Sequence, residues 1–447
     1  MRMNADTKII DADYLNRANE GARQHRQADA VLTFKDAHGK PLAGVPVEIC
    51  QTQHAFLFGN CATFDLCDQG PVHLNPLPPP VHNQPLWEER FLNLFNLAIL
   101  PFYWSSYEPT QGNPRHDSIE GALAWCKQHG VTAKGHPLMW PHHPDGMAEW
   151  LRPAKQEETD MLTGEKRELK RADAGFDAAQ TQQFQLGRIS REVNQFKGRI
   201  AVWDVYNEAA WCKRAEAPKL ADAIDAAFRV AHEADPAAHL ILNDAGMYVD
   251  SNRRDGFYHL ILELQKRGTP LGALGFQSHI GKAEWWSPEQ VVTTLDHFAA
   301  LGYPIHITEF MPTSDGEPMN GIWRTGNWTP EAQAEFAEQF YRIWFGHPAV
   351  ASITWWGLTD RHIWLPQGGL IDEDYNPKPV YARLDALINQ EWKTKLTVTT
   401  DAQGQVRFRG FLGDYALSAA FPGAEKANWQ ASLSKQASNT FTFATTA

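Results

Sequence analysis

Between residues 50 and 391, short apolar runs alternate with longer amphipathic stretches, the rhythm of repeated strand–helix units wound around a parallel sheet. Eight runs have strand character: Ala55–Thr63, Leu97–Trp104, Thr132–Leu138, Ala201–Asn207, His239–Asn243, Leu274–Ile280, Pro304–Phe310 and Ser352–Thr359. Ser118–His129, Ala178–Phe196, Ala217–Ala234, Ser287–Leu301 and Pro330–Phe345 lie between them with helical patterns. Eight such units predict a closed (β/α)8 TIM barrel rather than an open sheet.

The flanks read differently. Val31–Cys50 runs V-L-T-F-K-D, turns at His38–Gly39 and ends G-V-P-V-E-I-C, which predicts a hairpin. From Lys395 the tail alternates polar and apolar residues, with a turn at Asp401–Gly404, as a small antiparallel β unit would. The expected organisation is an N-terminal extension with a hairpin (1–50), the barrel (51–391) and a small β domain (392–447) that shares a sheet with 31–50. That appendage reads as a structural cap, with a carbohydrate-binding module as the alternative. Long loops after the first, third and seventh strands (Asp68–Pro85, Pro141–Gly175, Met311–Asn327) fall on the face where barrel enzymes keep their sites, and are read as cleft walls.

Composition narrows the partner. Net charge is −12 and the basic residues are scattered, which argues against nucleic acid and for a neutral substrate. The chain carries 17 Trp, 23 Phe and 11 Tyr, and flat aromatic faces stack on sugar rings as well as packing cores. Cys50, Cys61, Cys67, Cys126 and Cys212 are odd in number and lack metal spacing, so they read as buried thiols. No run has the length and apolarity of a membrane span or secretory leader, so the expectation is a cytoplasmic monomer off the membrane, or a secreted one if a leader precedes it.

Two carboxylates carry the chemistry. W-D-V-Y-N-E ends the fourth candidate strand at Glu208, and I-H-I-T-E ends the seventh at Glu309, so both face one barrel mouth. Retaining hydrolysis of a glycosidic bond uses two carboxyl groups about 5–5.5 Å apart, one protonated and one ionised. The charge of the ionised partner is expected to raise the pKa of the acid. A metal reading also exists, from His136, His142, His143 and Asp145, but the two adjacent histidines lack helical ligand spacing, and no metal or other cofactor is expected.

With W-D-V-Y-N-E and I-T-E, five further segments in order resemble glycoside hydrolase family 10, the endo-β-1,4-xylanase family, over about residues 50–391. They are Gly135–Trp140, Ala234–Asp244, Gly275–Ile280, Trp355–Trp364 and Gly368–Tyr381. The resemblance implies Glu208 as acid/base and Glu309 as nucleophile, with His136, Trp140, Asn207, Gln277, His279, Trp356, Trp364 and Trp104 binding substrate. It implies xylan, a xylo-oligosaccharide or another β-glycoside as that substrate. The chain departs from the family pattern E-N-x-x-K-W, where it has Ile99, Leu100 and Tyr103 before Trp104. It departs also at Met311, where an Asp commonly orients the residue numbered His279 here, and at Ala245–Gly246, where Tyr-Asn is usual. These departures point to a divergent member with an altered grip on the sugar at the non-reducing side. Small or decorated β-glycosides are the alternative substrates, and a non-catalytic sugar-binding protein is the alternative class.

Overall fold

A computed structural model describes residues 5–61, 66–67, 84–152, 155–159, 166–170, 175–209, 217–280, 284–321, 323–361, 363–420, 426–436 and 438–445. Eight strands close into a parallel barrel: Leu57–Cys61, Leu97–Pro101, Thr132–His136, Val202–Asn207, His239–Asp244, Ala273–Phe276, Ile305–Phe310 and Val350–Trp355, hereafter the first to eighth strands. Four are buried at every position and the other four at all but one, which is why most read as continuous runs rather than alternating ones.

The helices outside the barrel follow their sequence signals closely. Ala217–Ala234 buries Ala221, Ile224, Ala227, Phe228 and Ala231, one stripe at helical spacing against the sheet. Thr329 and Ser287 cap helices that begin at Pro330 and Pro288, and Asp177 forms a capping box with Gln180. Several strands end earlier than the sequence suggests. The second stops at Pro101, the sixth at Phe276 and the eighth at Trp355. Ala62–Thr63 of the first candidate strand and residues 68–83 of its loop lie outside the described residues, as do Cys212 and residues 153–154, 160–165 and 171–174 of the loop after the third strand.

The N-terminal segment corrects the hairpin expectation. Gln27–Lys35 and Pro46–His54 do not pair with each other but enter different sheets. Gln27–Lys35 lies between Gln405–Phe411, antiparallel, and Thr440–Ala444, parallel. Pro46–His54 lies between Lys395–Thr399 and Gly413–Ala419, both antiparallel, with Ala427–Leu433 beyond. Leu32, Phe34, Val47, Ile49, Val406, Tyr415, Leu417 and Leu433 fill one core with residues from both sheets. Each N-terminal strand buries alternate residues, so facing sheets satisfy the pattern as well as a hairpin would.

Ahead of them, Ala5–His25 is a helix that the sequence did not signal. It lies along Pro330–Gly346 so closely that Gly21 and Gly346 leave no room for a side chain at either position. Arg26 then donates to the carbonyls of Phe345, His347 and Val350 at 2.7 Å each. Asp11 accepts from Arg324 at 2.8 Å and from the Trp323 indole at 3.1 Å, fastening this helix to the loop after the seventh strand.

Candidate active site

Glu208 follows directly on the fourth strand, and its backbone N–H donates to the carbonyl of Asn243 at the end of the fifth, at 2.8 Å. Its φ is 59°, a left-handed conformation that a non-glycine residue holds at a cost of about 1–3 kcal/mol. That turn aims the side chain across the mouth. Its Oε2 accepts from the Trp140 indole at 2.9 Å and its Oε1 from Gln277 Nε2 at 3.0 Å.

Glu309 sits within the seventh strand, with its backbone N–H on the Gln277 carbonyl at 3.0 Å. Its Oε1 accepts from Asn243 Nδ2 at 2.7 Å and its Oε2 from His279 Nε2 at 3.0 Å. Gln277 therefore donates to the Glu208 carboxylate through its side chain and holds the backbone of Glu309 through its carbonyl. Asn243 ties the second to Asn207, whose Oδ1 accepts from Asn243 at 2.8 Å and from Gln277 at 3.3 Å. Because Oδ1 takes both bonds, the amide is fixed with its own NH2 left for a ligand.

The two glutamates are pushed in opposite directions. Burial raises the pKa of Glu208 most, the charge of Glu309 raises it further, and the bonds from Gln277 and Trp140 only partly oppose them. The partner's charge thus acts as expected from the sequence, second to burial. Burial also acts upward on Glu309, but the bond from His279 and the positive fields of His136 and His279 outweigh it and leave that carboxyl below its usual range. One is held as acid and the other as anion.

Behind them lies a buried relay. His136 Nδ1 and Lys134 Nζ both donate to Asp204 Oδ2 at 2.8 Å. Lys134 and His136 keep Asp204 ionised against burial. His136 also meets Trp356 and Tyr103 edge-on, at 5.2 Å and 5.7 Å between ring centroids. His279 meets Trp364 edge-on at 4.9 Å and Trp356 at 6.2 Å.

The mouth therefore gathers Glu208, Glu309, His136, Trp140, Asn207, Gln277, His279, Trp356 and Trp364. Trp104 is not among them. It is 2% exposed in a satellite cluster with Met147, Ala148 and Leu151, its indole donates to Glu108 at 2.9 Å, and the Arg188 guanidinium covers its ring. Ile99 and Leu100 are likewise buried, in the second strand. Tyr103 does stand at the mouth beside His136 and Trp140. Met311 is fully buried in register with His279, and the His279 Nδ1 is buried with no hydrogen-bond partner among the described residues.

Residues of the metal reading are dispersed among other tasks. His136 serves Asp204, while the His143 ring stacks on Trp140 at 3.7 Å and accepts from the Asp145 backbone. Asn243, Asp204 and Lys134 are working parts that sequence reasoning did not single out. Each lies in or beside a motif at a strand end, and that placement was the signal available.

A closed parallel barrel with a raised and a lowered carboxyl at its C-terminal mouth defines a protein of the (β/α)8 glycosidase type. The profile of glycosyl hydrolase family 10 matches residues 102–386, and the chain belongs to that family. Among similar proteins, endo-1,4-beta-xylanase B of Thermotoga neapolitana is 27% identical over 309 residues, 65% of this chain and 80% of that one. Anti-sigma-I factor RsgI6 of Acetivibrio thermocellus is 24% identical over 97% of this chain, which spans 50% of the length of that relative. Xylanase 10B of Thermotoga petrophila, solved in complex with xylobiose, superposes with a TM-score of 0.58 at 25% identity, covering 75% of this chain and 95% of that one.

Proposed function

We propose that this chain is a retaining glycosidase that cleaves β-xylosidic bonds by double displacement. The observation that carries the proposal is the pair of opposed carboxyls, Glu208 raised and Glu309 lowered, joined through Gln277. Glu309 attacks the anomeric carbon while Glu208 gives its proton to the leaving oxygen, so the glycosidic bond breaks as a glycosyl ester forms. Water then displaces the ester. Glu208, now a carboxylate, takes the proton of that water and is restored. The Asn207 NH2 donates to the sugar 2-hydroxyl, a bond that strengthens as the ring gains positive charge. Xylose as the sugar is supported by the xylanases the chain resembles.

One observation favours a short substrate over a long polymer. The second strand offers Ile99 and Leu100 to the core rather than polar groups to the cleft, and His143 covers one face of Trp140. The sugar beyond the scissile unit loses hydrogen bonds worth about 0.5–1.5 kcal/mol each.

The test incubates the protein and a Glu309→Ala variant with xylan, xylo-oligosaccharides and aryl β-xylosides, reading the first-formed anomer by NMR. Initial β-anomer from the wild type alone is expected, with a higher kcat/KM on the small substrates. An initial α-anomer, or turnover undiminished in Glu309→Ala, refutes the mechanism. No turnover of any glycoside would favour a sugar-binding protein.

A further inference from the structure

The helix Ala5–His25 belongs to neither the barrel nor the sandwich, yet its contacts lead to the mouth. They run through the loop after the seventh strand. At its base, Met311 bridges His279, while Thr313 and Ser314 donate to the carbonyls of Pro366 and Gln367 at 2.7 Å and 2.9 Å. Those carbonyls follow Trp364 in the loop after the eighth strand, and a Cβ added at Gly368 would come within 2.6 Å of Met311 Cγ. The wall that carries Trp364 is thus seated on residues 311–314.

From that base the loop runs out as a short antiparallel ladder. Trp328 donates to the Glu317 carbonyl at 2.9 Å, Gly316 to that of Trp328 at 2.9 Å, and Met319 to that of Gly326 at 2.8 Å. The tip beyond carries Trp323 and Arg324. Asp11 of the helix holds both, with one oxygen on the Trp323 indole at 3.1 Å and the other on the Arg324 guanidinium at 2.8 Å. Arg324 is 4% exposed, its guanidinium 3.7 Å from the centre of the Trp285 ring, with Glu335 as a further partner. A carboxylate engaged through both oxygens fixes the tip in direction as well as distance, and the burial of the pair makes that link costly to break. The close approach of Gly21 and Gly346 docks the helix independently, so replacing Asp11 frees the tip and not the helix.

We propose that Ala5–His25 is a brace for this wall of the mouth, with Asp11 as a positioning residue. Acting through Trp323 and Arg324, Asp11 steadies the loop on which the Trp364 wall is seated, and so sets the grip of the Trp364 ring on a bound sugar. The effect on the sugar rests on the hydrolase reading above; the bracing itself does not.

The test compares wild type, Asp11→Ala and Asp11→Asn by hydrogen–deuterium exchange and by kinetics on an aryl β-xyloside. In Asp11→Ala, amide exchange is expected to quicken about tenfold at 311–321 and at 363–369, with the sandwich strands Pro46–His54 and Gly413–Ala419 unchanged. Asp11→Asn keeps an oxygen for the Trp323 indole and should fall in between. KM is expected to rise about fivefold in Asp11→Ala at unchanged kcat, since binding contacts weaken while the bonds to the two carboxylates stay. Unchanged exchange, quickening confined to the helix and the loop tip, or quickening shared equally by the sandwich overturns the brace. An unchanged KM, with or without the fall in kcat that a smaller folded fraction would give, rejects the effect on the grip. If the wild type turns over no glycoside, the hydrolase reading fails and the exchange pattern alone decides the brace.

Discussion

His279→Leu tests how Glu309, the proposed nucleophile, is kept ionised. The substitution keeps an apolar body of similar size and removes the N–H that Glu309 Oε2 accepts at 3.0 Å, together with the field of the imidazole. Burial, the largest influence on Glu309, then acts with less opposition and drives its pKa upward. A hydrogen bond to an ionised group contributes about 1.5–3 kcal/mol, or roughly 10- to 150-fold in the ionised fraction when the pH lies below both pKa values. The loss should therefore depend on pH. In a profile of kcat/KM on an aryl β-xyloside, the acidic limb moves to higher pH, with the full loss at acid pH and a smaller one as Glu309 ionises. A uniform loss at every pH would mean that His279 only positions the carboxylate, and an unmoved limb would refute the account of its ionisation.

Gln277→Met removes a donor that favours ionised Glu208, so the basic limb of the same profile should move to higher pH; movement to lower pH contradicts the assignment of Glu208 as acid. Asp11→Asn breaks a nearly buried pair with Arg324, and since Glu335 remains as a second partner the expected loss is at most about 3 kcal/mol in urea unfolding. His306 is buried and His54 half-buried, and desolvation holds them at about 3 and about 4, below their unfolded value, so the unfolded chain binds more protons in between. Stability should therefore fall as pH drops from about 6.5 toward 4, and His306→Gln should flatten that slope in pH-dependent denaturation.

The barrel was legible because its strands are buried on both faces and its helices carry their caps in sequence, as at Thr329–Pro330 and Asp177 with Gln180. Glu208 and Glu309 were legible because each ends an apolar run. The N-terminal helix was not, since Ala5–His25 is held by its close approach to Gly346 and by the bonds of Asp11 and Arg26, all to residues some three hundred positions away. The sandwich was half legible. Alternation marks a strand with one buried face, but it does not distinguish a partner strand in the same sheet from one across the core. Trp104 misled for a related reason: its neighbours Glu108, Trp150 and Arg188 enclose it, and nothing in the motif records that enclosure.

The position of the departures explains how the proposed change in the grip on substrate leaves Glu208 and Glu309 untouched. Glu208 and Glu309 are fixed by Trp140 past the third strand, Asn243 on the fifth, and Gln277 and His279 past the sixth, through bonds of 2.7–3.0 Å. None of these comes from the second strand. Ile99 and Leu100 extend the core there, and every bond to the two carboxylates stays in place. Met311 differs, since it stands in register with His279, whose Nδ1 is buried with no hydrogen-bond partner among the described residues while Nε2 still reaches Glu309. The bond to Glu309 Oε2 thus makes Nε2 the donor nitrogen of this ring, and the thioether at 311 offers no carboxylate for Nδ1.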